Sequence, residues 1–282
     1  MQRYSISIIT RRTIRIKDHQ TVVFCLLTFA ITWGLGACVI FFPEPFRALF
    51  GELTGFHPLY ILAVAAPTIA ATMLTLAWEG WSGLRGLYAS LTRWRFGFQW
   101  YVFALVIIPA LGWLTSRVAG ADPKYDLSTP TLVAAALLNL LIGPLGEELG
   151  WRGYALPRLL RRFNPCAASL ILGAIWGLWH LPSFFVSSQV QADLSLPIFL
   201  VGALCLSIIA TWLFQHTGGS VLITVLLHYT VNFSLSVLGA PFPAFTLVLL
   251  VLAVSALALD RGFGWFRKAL PHPDARELRS AS

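Results

Sequence analysis

Long apolar runs recur along this chain, each close to the 20 residues needed to cross a hydrocarbon core. Short polar gaps separate them. Eight such runs are found, at 21–42, 57–79, 99–119, 129–149, 165–186, 195–216, 219–237 and 242–260. Each predicts a transmembrane helix, so the pattern describes an all-α integral membrane protein of about eight spans. The seventh run, "GGSVLITVLLHYTVNFSLS", is the shortest and partly polar. No internal repeat is apparent, and the gaps are too short for a soluble domain. Residues 1–282 therefore read as a single membrane domain. Pro67, Pro109, Pro144 and Pro182 fall inside or at the ends of spans. Each removes a backbone donor, which predicts a kink. Gly173 and Gly177 form a GxxxG in the fifth span, where a second helix can approach closely.

Composition agrees with this reading: 57% of residues are hydrophobic, 11% are charged and the mean hydropathy is +0.74. Soluble domains carry about 25% charged residues. The net charge of +8 does not imply nucleic acid, because 17 of the 20 Lys and Arg residues lie in the N-terminal tail, the gaps at 80–98 and 150–164, and the C-terminal tail. With eight spans those four segments share one side, leaving Arg47, Arg117 and Lys124 opposite. The positive-inside rule then places both termini in the cytoplasm. The first apolar run, of 22 residues, exceeds the core of roughly 7–15 residues in a cleavable signal. It reads as an uncleaved span of a multi-pass protein, expected in the plasma membrane. Cys25, Cys38, Cys166 and Cys205 have no metal-ligand spacing and read as small buried hydrophobes. The basic and amphipathic stretch 150–163, "GWRGYALPRLLRRF", reads as a helix lying along the cytoplasmic interface.

Ionisable groups within spans are rare and usually functional. Here they concentrate in three spans. Glu147 and Glu148 end the fourth, His180 lies in the fifth, and His228 with Asn232 lies in the seventh. Spacing of four residues puts two side chains on one helix face. Glu148 is therefore placed to pair with Arg152, and His228 shares a face with Asn232. His180 is followed at once by "LP", so a local break would expose it. His216 sits at a span end and reads as structural. Depths pose a difficulty: at 1.5 Å per residue Glu147 lies ~27 Å along its span, His180 ~22 Å and His228 ~13 Å. Convergence on one pocket requires the fourth span to be displaced at Pro144, or the fifth to begin below the bilayer.

These residues carry a resemblance. "EELGWR" (147–152) fits the EExxxR motif of the CPBP family, which includes the type II CAAX prenyl endopeptidases and Abi-like bacteriocin-processing and self-immunity proteins. "HYTVN" (228–232) fits its HxxxN motif. The second motif is FxxxH in most members and reads "WGLWH" here, with Trp176 in place of Phe and His180 as the histidine. Aromatic for aromatic, the exchange bears on how the ring packs and leaves the histidine assignment intact. The resemblance covers about 129–237, expected to be the catalytic core.

It implies an intramembrane endopeptidase acting on a membrane-bound peptide or a lipidated, CAAX-type protein. The functional set it implies is Glu147, Glu148, Arg152, His180, His228 and Asn232; Glu147, His180, His228 and Asn232 are read here as catalytic, with Glu148, Arg152 and Trp176 in support. No Ser–His pair or HExxH is present, which leaves direct attack by water. Glu147 is the candidate general base, since a carboxylate in a low-dielectric pocket accepts a proton more readily than one in water. His180 would orient the water or carry its proton to the leaving amine. His228 and Asn232 would donate to the oxyanion. Glu148 with Arg152 would fix the helix end. The family is described both as metal-independent glutamate proteases and as metalloproteases. No cofactor is required by the first reading, which is favoured; the second would set zinc on Glu147, His180 and His228. Two other classes stay open, a proton-coupled transporter and a non-catalytic scaffold or immunity protein on the same fold.

Overall fold

A computed structural model describes residues 2–55, 57–121 and 142–263, with side chains described from residue 19 to 259 of these. Among them every regular element is helical. The chain enters through α1 (Gln2–Phe41), followed by a short amphipathic α2 (Pro43–Phe50). Then come α3 (Pro58–Val64) and α4 (Ala66–Ala89), which meet at a bend of 62°. The bend sits at Ala65, two residues before Pro67. Next is α5 (Phe98–Val118), whose residues Phe103–Ile107 form a π-helical turn just before Pro109.

After residue 141 the description resumes with α6 (Pro144–Glu148), a π-helical segment Leu149–Ala155 and α7 (Leu156–Leu159). The remaining helices are α8 (Pro165–Trp179), α9 (Leu196–His216), α10 (Val221–Ser236) and α11 (Phe242–Phe263). Among the described residues five helices are long and apolar enough to cross a membrane, or six if the bent pair is one span. The fourth predicted span lies outside the described residues as far as 141. The seventh is α10, a 16-residue helix shorter than a full span.

All four prolines mark breaks. Pro67 follows the 62° bend, Pro109 the π-helical turn, and Pro144 the non-helical Gly143 (φ −74°, ψ −84°). Pro182 lies in a 3₁₀ turn, Leu181–Phe185, that terminates α8. The missing N–H and the ring clash with the preceding turn account for each.

Outward faces are apolar. Leu26 on α1, Trp113 on α5 and Val251 on α11 are exposed, as befits lipid-facing helices. Polar groups turn inward and bind backbone carbonyls, the arrangement a hydrocarbon surround favours. Ser207 Oγ of α9 donates to the Ser169 carbonyl of α8 at 2.8 Å. Thr230 Oγ1 of α10 donates to the Ala104 carbonyl at 2.8 Å, within the π-helical turn of α5. The GxxxG acts as expected: a Cβ on Gly173 would come within 2.9 Å of Ser207 Cβ, and one on Gly177 within 2.8 Å of Leu200 Cδ2. Of the four free cysteines Cys205 is buried, Cys25 and Cys166 are half-buried and Cys38 is exposed. The reading of all four as buried is therefore corrected: in a helix bathed by lipid, an apolar side chain has no need to face inward.

A second correction concerns 150–163. Gly150, Trp151, Arg152, Tyr154, Ala155, Leu156, Leu159 and Leu160 are buried, and exposure begins only at Arg161. The stretch is packed core, because the π-helical segment docks on α4 instead of lying on a surface. Arg158 closes this region. It donates to Gln20 Oε1 of α1 at 3.0 Å and to the Tyr154 carbonyl at 2.9 Å, and it pairs with Glu79 of α4. Burial pushes the Tyr154 phenol up to about 12, against the opposing pull of the Arg158 charge stacked on its ring.

Candidate active site

The carboxylates do not lie at the end of a straight span. The chain breaks at Gly143, and Glu147 occupies the first turn of the helix that restarts there. Unpaired N–H groups at a helix start favour negative charge. This turn is held against the bend between α3 and α4. Thr68 Oγ1 donates to the Leu145 carbonyl at 3.1 Å. Gly150 lies so close to Pro67 that a Cβ there would come within 2.4 Å of its carbonyl carbon. Only glycine permits that approach. A break is therefore present at Gly143, directly before Pro144; the earlier part of the fourth span lies outside the described residues.

Three motifs converge. Arg152 Nη1 donates to Glu148 Oε1 at 2.7 Å, the pair expected at a spacing of four. His228 Nδ1 of α10 donates to the same Oε1 at 2.9 Å. Trp176 Nε1 of α8 donates to Glu147 Oε2 at 2.7 Å. The Trp176 ring also carries the Arg152 guanidinium at 4.7 Å from its centroid and makes edge contacts with His228 at 5.3 Å and His180 at 5.5 Å. Glu147, Glu148, Arg152, Trp176 and His228 are each 5% exposed or less.

The two carboxylates differ in saturation. Glu148 Oε1 accepts from two cationic or potentially cationic groups. Glu147 accepts one hydrogen bond, from a neutral indole. Its Oε1 accepts none among the described residues and is not one of the fully occluded atoms, unlike Glu148 Oε2.

His180 caps the end of α8, where the helix gives way to the 3₁₀ turn before Pro182. The break expected after "WH" is therefore present. Its Nδ1 lies 2.8 Å from the Trp176 carbonyl. A carbonyl only accepts, so Nδ1 carries the proton and the neutral ring keeps its lone pair on Nε2. Aromatic contacts with Trp179 and Phe199 hold the ring. Asn232 is half-buried, one helical turn beyond His228, and its amide makes no hydrogen bond among the described residues. His216 lies apart from the cluster, with Nδ1 at 2.9 Å from the Trp212 carbonyl and its ring against Trp100.

The zinc set Glu147, His180 and His228 does not fit. Among the described residues no three His, Cys, Asp or Glu side chains are placed to hold a metal ion. The reason is visible in the contacts: the Trp176 indole holds Glu147 and touches both imidazoles. That hydrogen bond is also what the sequence reading missed, since the Trp-for-Phe exchange was expected to alter only ring packing. The signal was present in the residue type, because indole has a donor and phenyl has none.

The family model described as Type II CAAX prenyl endopeptidase Rce1-like matches residues 129–234. The segment contains all three motifs, and the resemblance drawn from them is borne out there. The protein named CAAX prenyl protease 2 from Methanococcus maripaludis is 34% identical over 110 residues, covering 36% of this chain and 40% of the relative. The chain thus matches less than half the length of that relative.

Proposed function

We propose that this chain, whose residues 129–234 match the Rce1-like type II CAAX prenyl endopeptidase family model, is an intramembrane endopeptidase that hydrolyses a peptide bond with an activated water. The catalytic core spans 129–237 within a single membrane domain whose termini both face the cytoplasm. The substrate is a membrane-bound peptide or a lipidated, CAAX-type protein. No nucleic acid is involved.

One observation carries the division of labour. Glu148 Oε1 accepts from both Arg152 and His228 and its Oε2 is occluded, while Glu147 holds one neutral donor on Oε2 and keeps Oε1 for a ligand. Glu147 is accordingly the general base. It takes a proton from water as the water oxygen bonds to the scissile carbonyl carbon. His180 serves at the same water through Nε2, the acceptor left once Nδ1 has bonded the Trp176 carbonyl. The proton is then passed to the leaving nitrogen as the C–N bond breaks. Asn232 donates its amide N–H to the oxyanion. His228 joins it through Nε2–H in the doubly protonated ring, whose Nδ1–H is given to Glu148. No step requires a metal.

The test is cleavage of a farnesylated, internally quenched CAAX-type peptide by purified protein in lipid vesicles, joined to comparative proteomics of membranes. Membranes carrying Glu147→Ala should accumulate an uncleaved precursor. Full proteolysis by Glu147→Ala would overturn the reading.

A further inference from the structure

Two adjacent carboxylates, Glu147 and Glu148, compete here for one buried guanidinium. Arg152 pairs with Glu148 at 2.7 Å. An ion pair between Arg152 and Glu147 would instead quench the charge that a base needs. The Trp176 indole stands at this choice. Its face covers the guanidinium, with Arg152 Cζ at 4.7 Å from the ring centroid, and its N–H reaches Glu147 Oε2 at 2.7 Å.

We propose that Trp176 is a positioning residue for Glu147: its indole N–H ties down Oε2 and thereby presents Oε1 to the reacting water. The inference rests on the reading of Glu147 as the base.

The geometry supports each part. A glutamate has three side-chain torsions, and one short hydrogen bond to a fixed donor removes most of that freedom. The donor is itself fixed. Trp176 is 5% exposed, its carbonyl accepts from His180 Nδ1 at 2.8 Å, and its ring edge meets His228. The indole is neutral, so it orients the carboxylate without neutralising it. It also links the base to His180 through a single residue: the indole N–H holds Glu147 and the backbone carbonyl of the same residue holds His180 Nδ1. Phenylalanine, the residue the family pattern carries at this position, has no donor and cannot do this. This chain therefore positions its base by a device that its motif does not encode.

The experiment replaces Trp176 by β-(3-benzothienyl)alanine, which keeps the shape of indole and lacks the N–H, with Trp176→Phe as a second variant. Cleavage of the farnesylated quenched peptide is measured beside wild type and Glu147→Ala. The expected result is a kcat about tenfold lower with KM within twofold of wild type. Thermal unfolding in detergent gives a second readout: losing the N–H lowers Tm in the wild-type background and leaves it unchanged in Glu147→Ala, where the partner is gone. A benzothienyl variant with wild-type kcat, or an equal Tm change in both backgrounds, overturns the proposal. If Glu147→Ala is inactive in that case, the assignment of the base stands and the positioning role alone fails. If Glu147→Ala retains proteolysis, the assignment of the base fails first.

Discussion

His228 Nδ1 and Glu148 Oε1 lie 2.9 Å apart across 80 residues of chain, and this bond ties the third motif to the first. Because Arg152 shares the same oxygen, Glu148 is the hub of a buried three-residue network, while Glu147 one position earlier stands outside it. Adjacent residues of one type thus differ in their hydrogen-bond partners.

Glu147→Gln should reduce cleavage by about 10²–10⁴-fold, the usual contribution of a general base. Its amide oxygen can still accept from Trp176, so thermal unfolding in detergent should match wild type. Stability intact with activity lost is the combination that identifies a chemical role.

Arg152→Met should behave differently. Arg152 is fully buried, and removing it strips buried Glu148 of its ion-pair partner, leaving only the hydrogen bond from His228. Such losses cost about 3–5 kcal/mol. Denaturation in mixed micelles should show a stability loss of that size, whatever happens to activity.

Asn232→Ala and His228→Ala should separate. Removing an oxyanion donor costs about 10²–10³-fold in kcat. Both variants should lose that much, measured with the quenched peptide. Only His228→Ala should also lose stability, since Glu148 forfeits a partner. The Asn232 side chain has no hydrogen-bonded partner among the described residues to abandon, and its backbone carbonyl, which accepts from Ser236 Oγ, is kept in the variant.

Gly150→Ala should impair the site from a distance. The added methyl would lie 2.4 Å from the Pro67 carbonyl carbon, a backbone atom with little room to yield. Overpacking of this kind costs about 1–3 kcal/mol. The expected outcome is a lower Tm together with reduced kcat, because the π-helical segment that carries Arg152 must shift off α4. Wild-type values for both would show that the contact is not required.

1,10-Phenanthroline should leave the initial rate unchanged. Loss of activity with the chelator and its return with zinc would show that a metal set forms which the described residues do not assemble.

What the sequence determined by itself is local. Apolar runs near 20 residues set the spans, because a hydrocarbon core demands internally bonded helices. Proline marked the breaks, since a missing N–H acts on its own turn. The Glu148–Arg152 pair followed from helix periodicity, and the three motifs identified the residues that meet. Tertiary structure decided the rest. The burial of 149–160 depends on the bend at Ala65 and on the fit of Gly150 against Pro67, two segments 83 positions apart in the numbering. The attachment of Trp176 to Glu147 depends on where α8 ends relative to the helix restart at Gly143. Hydropathy and spacing describe each helix alone. Which donor meets which carboxylate is set by how bent helices cross, and no single segment contains that information.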